Sequence, residues 1–535
     1  MATSKIPGHF AHELDAKAEA SPDLGIITFE NGALAEEVIT YADIVQKGRK
    51  LAQALKDQGI GKGDVFALLM RNHPEFIHAL YAATLTGAVL LPIDPRTKGG
   101  RLHYVLRDSQ AKGLVLTSEF LGAVEEVLSD LPGLKVVGVA RKQGMSGRTT
   151  SNYRDMADIF SGPEVPPPDD RSDRIDGPME IIYTSGTTGD PKGVVVKQNR
   201  LSAFANMAKL VYQYRDDERP YTGLSLTHGN AQAVTLIPSL LLGLPAVISC
   251  KFTKSRIWDV CRKYGCTTYS LLGGMMMAIF SEPVRPDDAD NPVRLVLSAG
   301  TPRSIWEAFE KRFGVRIHEW YGAVEGGFAH NPPGVGPVGS FGKPLAGMME
   351  MKIVREDGGE AAPLEVGEII CALVGQKTEV EYLGKKEASA QKTRGGWLRT
   401  GDMGHVDQEG WFYFDYRKGG GLRRSGDFIQ PDYVESVIAQ HPDVTDVCVY
   451  GVPSAGGAPG ESDLVAAVAP VAGGGLDPAA IFALCRAKLE GNAVPSYIQV
   501  VDEIPKTASE KNLDRLLQDD FSPDAPNVFK LADQG

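Results

Sequence analysis

Cysteine is scarce in this chain, with six among 535 residues at Cys250, Cys261, Cys266, Cys371, Cys448 and Cys485. None forms a CxxC pair or stands at zinc spacing from a histidine. A disulfide scaffold and a zinc module are therefore not expected, and buried thiols in a reducing cytosol are. Long hydrophobic runs are also missing. The longest, Ala233 to Ile248, is interrupted by Pro238 and Pro245 and falls short of a bilayer span. The opening segment has no apolar core of the secretory kind, and the closing Ala-Asp-Gln-Gly is not a peroxisomal address. Positive charge is not in excess: 56 Lys and Arg stand against 68 Asp and Glu, a net charge of -12. That balance disfavours general nucleic-acid binding, which needs a basic face, but leaves room for a local basic groove. The expectation is a cytoplasmic protein.

What is present fits a large soluble globular protein. The composition is 43% hydrophobic and 23% charged, and single cores stop growing near about 250–300 residues, so more than one domain is expected. Short β-rich runs alternate with helix-like segments. Strands are expected at Val65–Met70, Val89–Ile93, Gly113–Thr117, Lys135–Val139, Glu180–Thr184, Ala246–Cys250, Thr267–Leu272, Arg294–Ser298 and Val315–Glu319, with a helix over Phe76–Leu85. This alternation predicts α/β layers with largely parallel sheets, whose ligands gather at the carboxyl ends of strands. The glycine after Ser298 and the Tyr-Gly after Trp320 stand where strands should end. Pro166–Pro168 and the acidic residues after it read as a surface linker. Beyond Gly326 short strands and Gly/Pro turns predict a β-rich subdomain. Three glycines in Lys418–Gly421 place the main boundary there, giving a large domain over 1–417 and a small mobile α+β domain over 418–535.

The most informative segment is Tyr183–Gly193, which packs three glycines, four Ser/Thr hydroxyls and one lysine into eleven residues. Glycines let backbone N–H groups close on phosphate oxygens, hydroxyls add hydrogen bonds, and Lys192 adds charge. A Walker loop fails at two places, because Pro191 precedes the lysine and Gly193 follows it. A simple polar turn has no need of this density of hydroxyls beside a lysine.

This segment closely resembles the phosphate loop of the acyl-adenylate-forming superfamily, which includes acyl-CoA synthetases, luciferases and peptide-synthetase adenylation domains. The superfamily pattern is matched from Thr184 through Ser185, Gly186, Thr187, Thr188 and Gly189 to Lys192 and Gly193. Other motifs follow in order. Ser298-Ala299-Gly300-Thr301-Pro302 resembles the adenine-side loop, and Tyr321-Gly322-Ala323-Val324-Glu325 the Tyr-Gly-x-Thr-Glu motif. The resemblance implies that Tyr321 stacks near adenine and that Glu325 helps hold Mg²⁺, a role suited to a hard carboxylate oxygen. Val324 departs from the pattern and removes a hydroxyl. Asp402, in Arg399-Thr400-Gly401-Asp402, takes the place of the ribose acceptor, and Arg417 that of the arginine reaching the same sugar. Gly420 stands at the hinge position. Arg423, Ser425 and Gly426 match the stretch that meets the pantetheine channel. Lys511 takes the place of the adenylation lysine, with Glu510 replacing a glycine and Lys506 as a fallback. Leu224–Gly229 is similar to a further motif in which His228 borders the acyl pocket and the thiol entry.

The resemblance spans about Phe10 to Leu517. It implies an ATP- and Mg²⁺-dependent ligase that converts a carboxylic acid to acyl-AMP and then to acyl-CoA. Lys511, Glu325 and His228 are the expected catalytic residues. Phe252–Ala278 is similar to carnitine/crotonobetaine-type CoA ligases. Carrier-protein loading, oxidative chemistry on the adenylate and a non-catalytic nucleotide-binding relative remain open, as does a homodimer. No aspartate of the kind that pairs an amino-acid amine lies in Leu224–Gln232. The Met275–Met277 run suits either an acyl pocket or plain core.

Overall fold

The computed structural model describes residues 8–33, 36–142, 152–162, 175–184, 191–280, 282–417, 422–424, 427–429, 431–454, 461–471, 475–505 and 514–531. The Pro166–Pro168 linker and the Lys418–Gly421 glycines lie outside them.

Two sheets with mostly parallel strands form the large part of the chain. The first has six strands in the order Lys135–Ala140, Gly113–Thr117, Val65–Leu69, Val89–Ile93, Pro178–Thr184 and Lys192–Lys197. All its pairings are parallel except the last, Pro178–Thr184 with Lys192–Lys197. Strands Val65–Leu69, Val89–Ile93 and Gly113–Thr117 are buried at every position. That explains their continuous apolar sequence, since helices cover both faces of a parallel sheet.

The second sheet has nine strands. Its parallel centre runs Arg316–Ala323, Leu295–Ala299, Thr268–Leu272, Pro220–Thr222, Ala246–Ser249 and Gly25–Glu30. Antiparallel strands finish both edges: Glu36–Thr40 on one side, Gly326–Asn331 and Lys343–Pro344 on the other. Trp258, Tyr269, Phe309 and Phe313 pack on this sheet, with Trp258 and Phe313 stacked at 4.5 Å. The helix Pro74–Thr86 is buried almost all round. Its proline sits in the first turn and Gly87 closes it at φ 72°, a left-handed cap that glycine adopts without strain.

A four-stranded antiparallel sheet follows, Met349–Val354, Gly367–Leu373, Leu398–Val406 and Phe412–Arg417. Beyond it come a two-stranded ribbon, Leu422–Arg424 with Asp427–Ile429, and a last four-stranded sheet backed by the helices Pro431–Ile438 and Pro478–Lys488. The molecule is thus α/β, a large N-terminal assembly with a small α+β C-terminal part. Among the described residues no helix is long and apolar enough to cross a membrane.

The expected strands are present to within about two residues at each end, except that Val315–Glu319 is observed as Arg316–Ala323. Two expectations need correction. Tyr321-Gly322 does not follow a strand but continues one, because Arg316–Ala323 extends to pair with Gly326–Asn331. The β-rich sheet begins at Met349 rather than past Gly326, since the two strands between close the edge of the nine-stranded sheet. In both cases edge pairing, a long-range contact, overrides the local turn signal.

Phe309 is fully buried in the aromatic cluster. Phe309→Ala should cost about 3–5 kcal/mol, read as a lower urea midpoint for the transition followed by tryptophan emission.

Candidate functional site

The carboxyl ends of parallel strands from both large sheets open into one cavity of about 1970 Å³. Val89–Ile93 ends at Asp94, Pro178–Thr184 at Thr184, Thr268–Leu272 at Gly273 and Leu295–Ala299 at Gly300, and all of these except Gly273 line the cavity directly. Parallel strands deliver their loops to one side of a sheet, so residues far apart in sequence meet there.

On the nucleotide-like side, Thr184 and Lys192 face one another across the last antiparallel pairing. The connection between them, with Ser185, Gly186, Thr187, Thr188 and Gly189, lies outside the described residues. The Lys192 ammonium lies 5.5 Å from the centre of the Tyr382 ring, whose hydroxyl donates to Glu325 Oε1 at 3.1 Å. Lys392 Nζ is 4.0 Å from the same oxygen. Tyr321 stacks on Phe341 with ring centres 4.5 Å apart and donates to Asp402 Oδ2 at 2.5 Å. The expected adenine and ribose residues are thus brought together. Asp402 also pairs through its backbone register with Arg417, whose side chain is outside the description.

The loop Ala299-Gly300-Thr301 is held by a residue that sequence reasoning passed over. Glu319 accepts from Gly300 N at 2.6 Å, Thr301 N at 3.2 Å and the Thr301 hydroxyl at 2.6 Å. Burial pushes its carboxyl up to about 7, against the pull of these donors. Gly322 and Val324 line the cavity beside it. The guanidinium of Arg200 donates to the carbonyls of Ala323 and Val324 and so fixes the peptide that leads into Glu325. An arginine in the first turn of Asn199–Leu210 runs against the helix dipole, and that oddity was the available sequence signal.

The apolar side is lined by Phe204, Met207, Leu272, Met275, Trp320 and Phe328. Of the methionine run, Met275 reaches the cavity, Met276 is fully buried in core, and the Met277 side chain is outside the description. Glu180, buried at the floor, accepts from Gln232 Nε2 at 2.7 Å, and burial pushes it up to about 7.

His228 also lines the cavity, and its Nε2 lies 3.2 Å from Asp94 Oδ2. Asp94 was not singled out in the sequence, although it ends a buried strand, which is the position where α/β ligand residues gather. From the small C-terminal part, Arg423 reaches the cavity near Gly300, lies over Phe414 at 5.8 Å and pairs with Glu461 at 3.5 Å. Arg424 turns away and donates to the carbonyl of Val494. Ser425, Gly426, Gly420, Lys506, Glu510 and Lys511 lie outside the described residues. Among the described residues no three His, Cys, Asp or Glu side chains cluster as a metal cage.

Known proteins resemble this chain over most of its length. The family described as AMP-binding enzyme covers residues 14–375, and the family described as AMP-binding enzyme C-terminal domain covers residues 433–511. A crotonobetaine/carnitine–CoA ligase of Salmonella typhimurium is 28% identical over 509 residues, 93% of this chain and 96% of that protein. Among solved structures, a double mutant of the o-succinylbenzoate CoA synthetase of Bacillus subtilis, bound with a product analogue, superposes with a TM-score of 0.78 at 23% identity, covering 95% of this chain and 98% of the other. An amide bond synthetase of Marinactinospora thermotolerans gives 0.79 at 24% identity, covering 96% and 99%.

Gly273 packs so tightly under the Ala299–Thr301 loop, expected on the adenine side, that a Cβ there would collide with the carbonyl oxygen of Gly300. Gly273→Ala should displace that loop and weaken ATP binding about ten-fold or more, equivalent to ~1.4 kcal/mol, measured by titration calorimetry. Gly61, which has no positive φ and around which a Cβ would find open space, is the matched control for stability.

Proposed function

The chain belongs to the family of AMP-binding enzymes, and from that premise we propose that it is an ATP- and Mg²⁺-dependent acid–CoA ligase, which forms an acyl-AMP and passes the acyl group to coenzyme A. The observation that carries this reading is the single cavity. It joins a phosphate and ribose wall (Thr184, Lys192, Tyr321, Asp402) to an apolar wall, with Arg423 and Asp427 of the small C-terminal part at its mouth.

In the first step a carboxylate oxygen of the acid attacks the α-phosphorus and pyrophosphate leaves with the electrons of the broken P–O bond. Lys192 faces the phosphates and offsets charge as it builds up, the kind of preorganised stabilisation that contributes most in a water-poor site. Asp402 accepts from the ribose hydroxyls, with Arg417 beside it on the neighbouring strand. Tyr321 and the Ala299–Thr301 loop hold the base between them. Lys511 bridges the attacking carboxylate and the α-phosphate. Glu325 offers one hard carboxylate, already oriented by Tyr382, and would hold a magnesium ion, whose preference for oxygen donors it suits. Bound there, the metal supplies charge neutralisation to the leaving pyrophosphate.

In the second step the thiol sulfur attacks the acyl carbon and AMP leaves. Arg423 suits the phosphates of coenzyme A, and Ser425 and Gly426 fall beside it in sequence. The domain boundary falls at 417/418, with Gly420 as the pivot that carries Lys511 away and brings Arg423 in. The similarity to crotonobetaine/carnitine–CoA ligase makes small, compact acids the first class to examine.

The test is a screen of carboxylic acids, beginning with crotonobetaine, carnitine and small aromatic acids, scored for pyrophosphate release and for CoA-dependent thioester on one preparation. Both products should appear for the true substrate. Adenylate without thioester, with an amine or a carrier protein accepting the acyl group instead, would overturn the coenzyme A assignment. Lys511→Ala should lower pyrophosphate release from free acid and ATP about 10²-fold or more, while thioester formation from supplied acyl-AMP continues. Equal loss of both would remove Lys511 from its adenylation role.

A further inference from the structure

His228 sits on a turn that the fold holds rigidly. Asn72, buried behind it, donates through Nδ2 to the carbonyl of Leu224 at 2.8 Å and accepts from Leu226 N at 2.8 Å. His228 N then closes the turn on the carbonyl of Ser225 at 3.1 Å. The imidazole meets Asp94 through Nε2 at 3.2 Å, while the side chain keeps 42% of its surface exposed to the cavity. Asp94 is itself fixed by Arg96, which donates from its backbone N at 2.9 Å, from Nε at 2.9 Å and from its terminal guanidinium nitrogen at 2.7 Å. The same guanidinium reaches Asp427 Oδ2 of the small C-terminal part at 2.8 Å, and Asn492 donates to that oxygen at 2.9 Å.

We propose that Asp94 is a positioning residue for the thiol-transfer step: it holds His228 with the proton on Nε2 and the lone pair of Nδ1 open to the cavity, so that His228 takes the proton from the incoming thiol. This rests on the coenzyme A reading above. A carboxylate that accepts from one imidazole nitrogen fixes the tautomer and leaves the other nitrogen as the base. As Nδ1 takes the S–H proton, the sulfur bonds to the acyl carbon. The bond from that carbon to the phosphate oxygen of AMP breaks, and the oxygen keeps the electron pair. The imidazolium then returns its proton to solvent.

Asp427 connects this arrangement to the position of the small part. Arg96 is shared between Asp94 and Asp427, so the dyad and the docked ribbon that carries Arg423 belong to one network. A thiol admitted beside Arg423 therefore meets a base that is already oriented. The charged groups facing His228 are Asp94 and Arg96 from the segment after Val89–Ile93 and Asp427 from the ribbon. Desolvation and Arg96 work against the imidazolium, but the hydrogen bond and charge of Asp94 and the charge of Asp427 outweigh them, and the histidine titrates above its ordinary value. The base form is thus gained as pH rises through that shifted value, and so is the rate of the second step.

The experiment measures both half-reactions against pH, using the best acid from the screen and its purified acyl-AMP. In the wild type, thioester formation from acyl-AMP and coenzyme A should rise with an inflection above about pH 6.5 that pyrophosphate release lacks. Asp94→Asn should lower the thioester plateau about 10²-fold and move its inflection to lower pH, because the group that raises the histidine is gone. Pyrophosphate release should fall far less. Asp94→Glu should recover part of the rate and the inflection. Equal losses in both steps, or an inflection that stays in place in Asp94→Asn, would overturn the proposal. If Asp94→Asn does not fold, the wild-type pair of profiles decides, since an ionisation shared by both steps or absent from both also overturns it. An enzyme that makes acyl-AMP but no thioester at any pH would instead remove the coenzyme A reading on which the proposal stands.

Discussion

The structure depends on a constraint of parallel pairing. A parallel strand can be reached again only by a crossover through a helix, so every strand in a parallel run points the same way and every loop at its carboxyl end falls on the same side. This chain builds two such sheets and turns those sides toward one cavity. Asp94, Thr184, Gly300 and Tyr321 come from strands in two sheets, yet they share one wall. The antiparallel sheet from Met349 to Arg417 adds Asp402 to that wall, and the terminal ribbon adds Arg423. The acid activation and thiol transfer proposed above act on one acyl group, and convergence of this kind would let one cavity serve both.

Charge inside the cavity is arranged by pairing rather than by a broad basic surface. Removing a charge from water is costly unless a partner or a neutral form relieves it. Asp94 remains ionised because Arg96 and His228 donate to it against the cost of burial. Among the described residues Glu319 and Glu180 have no such cation at hydrogen-bond distance, and burial pushes both to about 7. Glu325 is steadied by Tyr382 and by Lys392 4.0 Å away. An acidic protein can therefore receive a triphosphate: the positive groups needed are few, local and pointed inward.

The departure from the expected pattern at residue 324 meets a contact from elsewhere in the chain. Val324 lacks the hydroxyl usual in that motif, and Arg200, on a different helix, grips the carbonyl of Val324 and that of its neighbour Ala323. The peptide before Glu325 is thus anchored through its backbone, which any residue provides, rather than through the side chain at 324. A sequence motif records side chains only, so this kind of backbone anchoring does not show in it.

The sequence alone determined the layered α/β class, the buried strands and the order of the nucleotide motifs. These follow from local pattern: continuous apolar runs where both faces of a sheet are covered, and glycine with hydroxyls where backbone must approach phosphate. His228, Asp402 and Glu325 were singled out by the resemblance of their surrounding motifs to those of the superfamily. Only the tertiary structure decided that Tyr321 meets Asp402 across 81 residues, that Glu319 fastens the Gly300 loop, and that Asp94, Arg96 and Asp427 form one network around His228. It also decided that Tyr321-Gly322 lies within a strand, since the edge partner that extends the strand is not written in its own residues. The physical reason is the range of the forces involved. Backbone preference and hydrophobic periodicity act between near neighbours, whereas an ion pair or a buried hydrogen bond depends on which loops a fold brings within about 3 Å of each other.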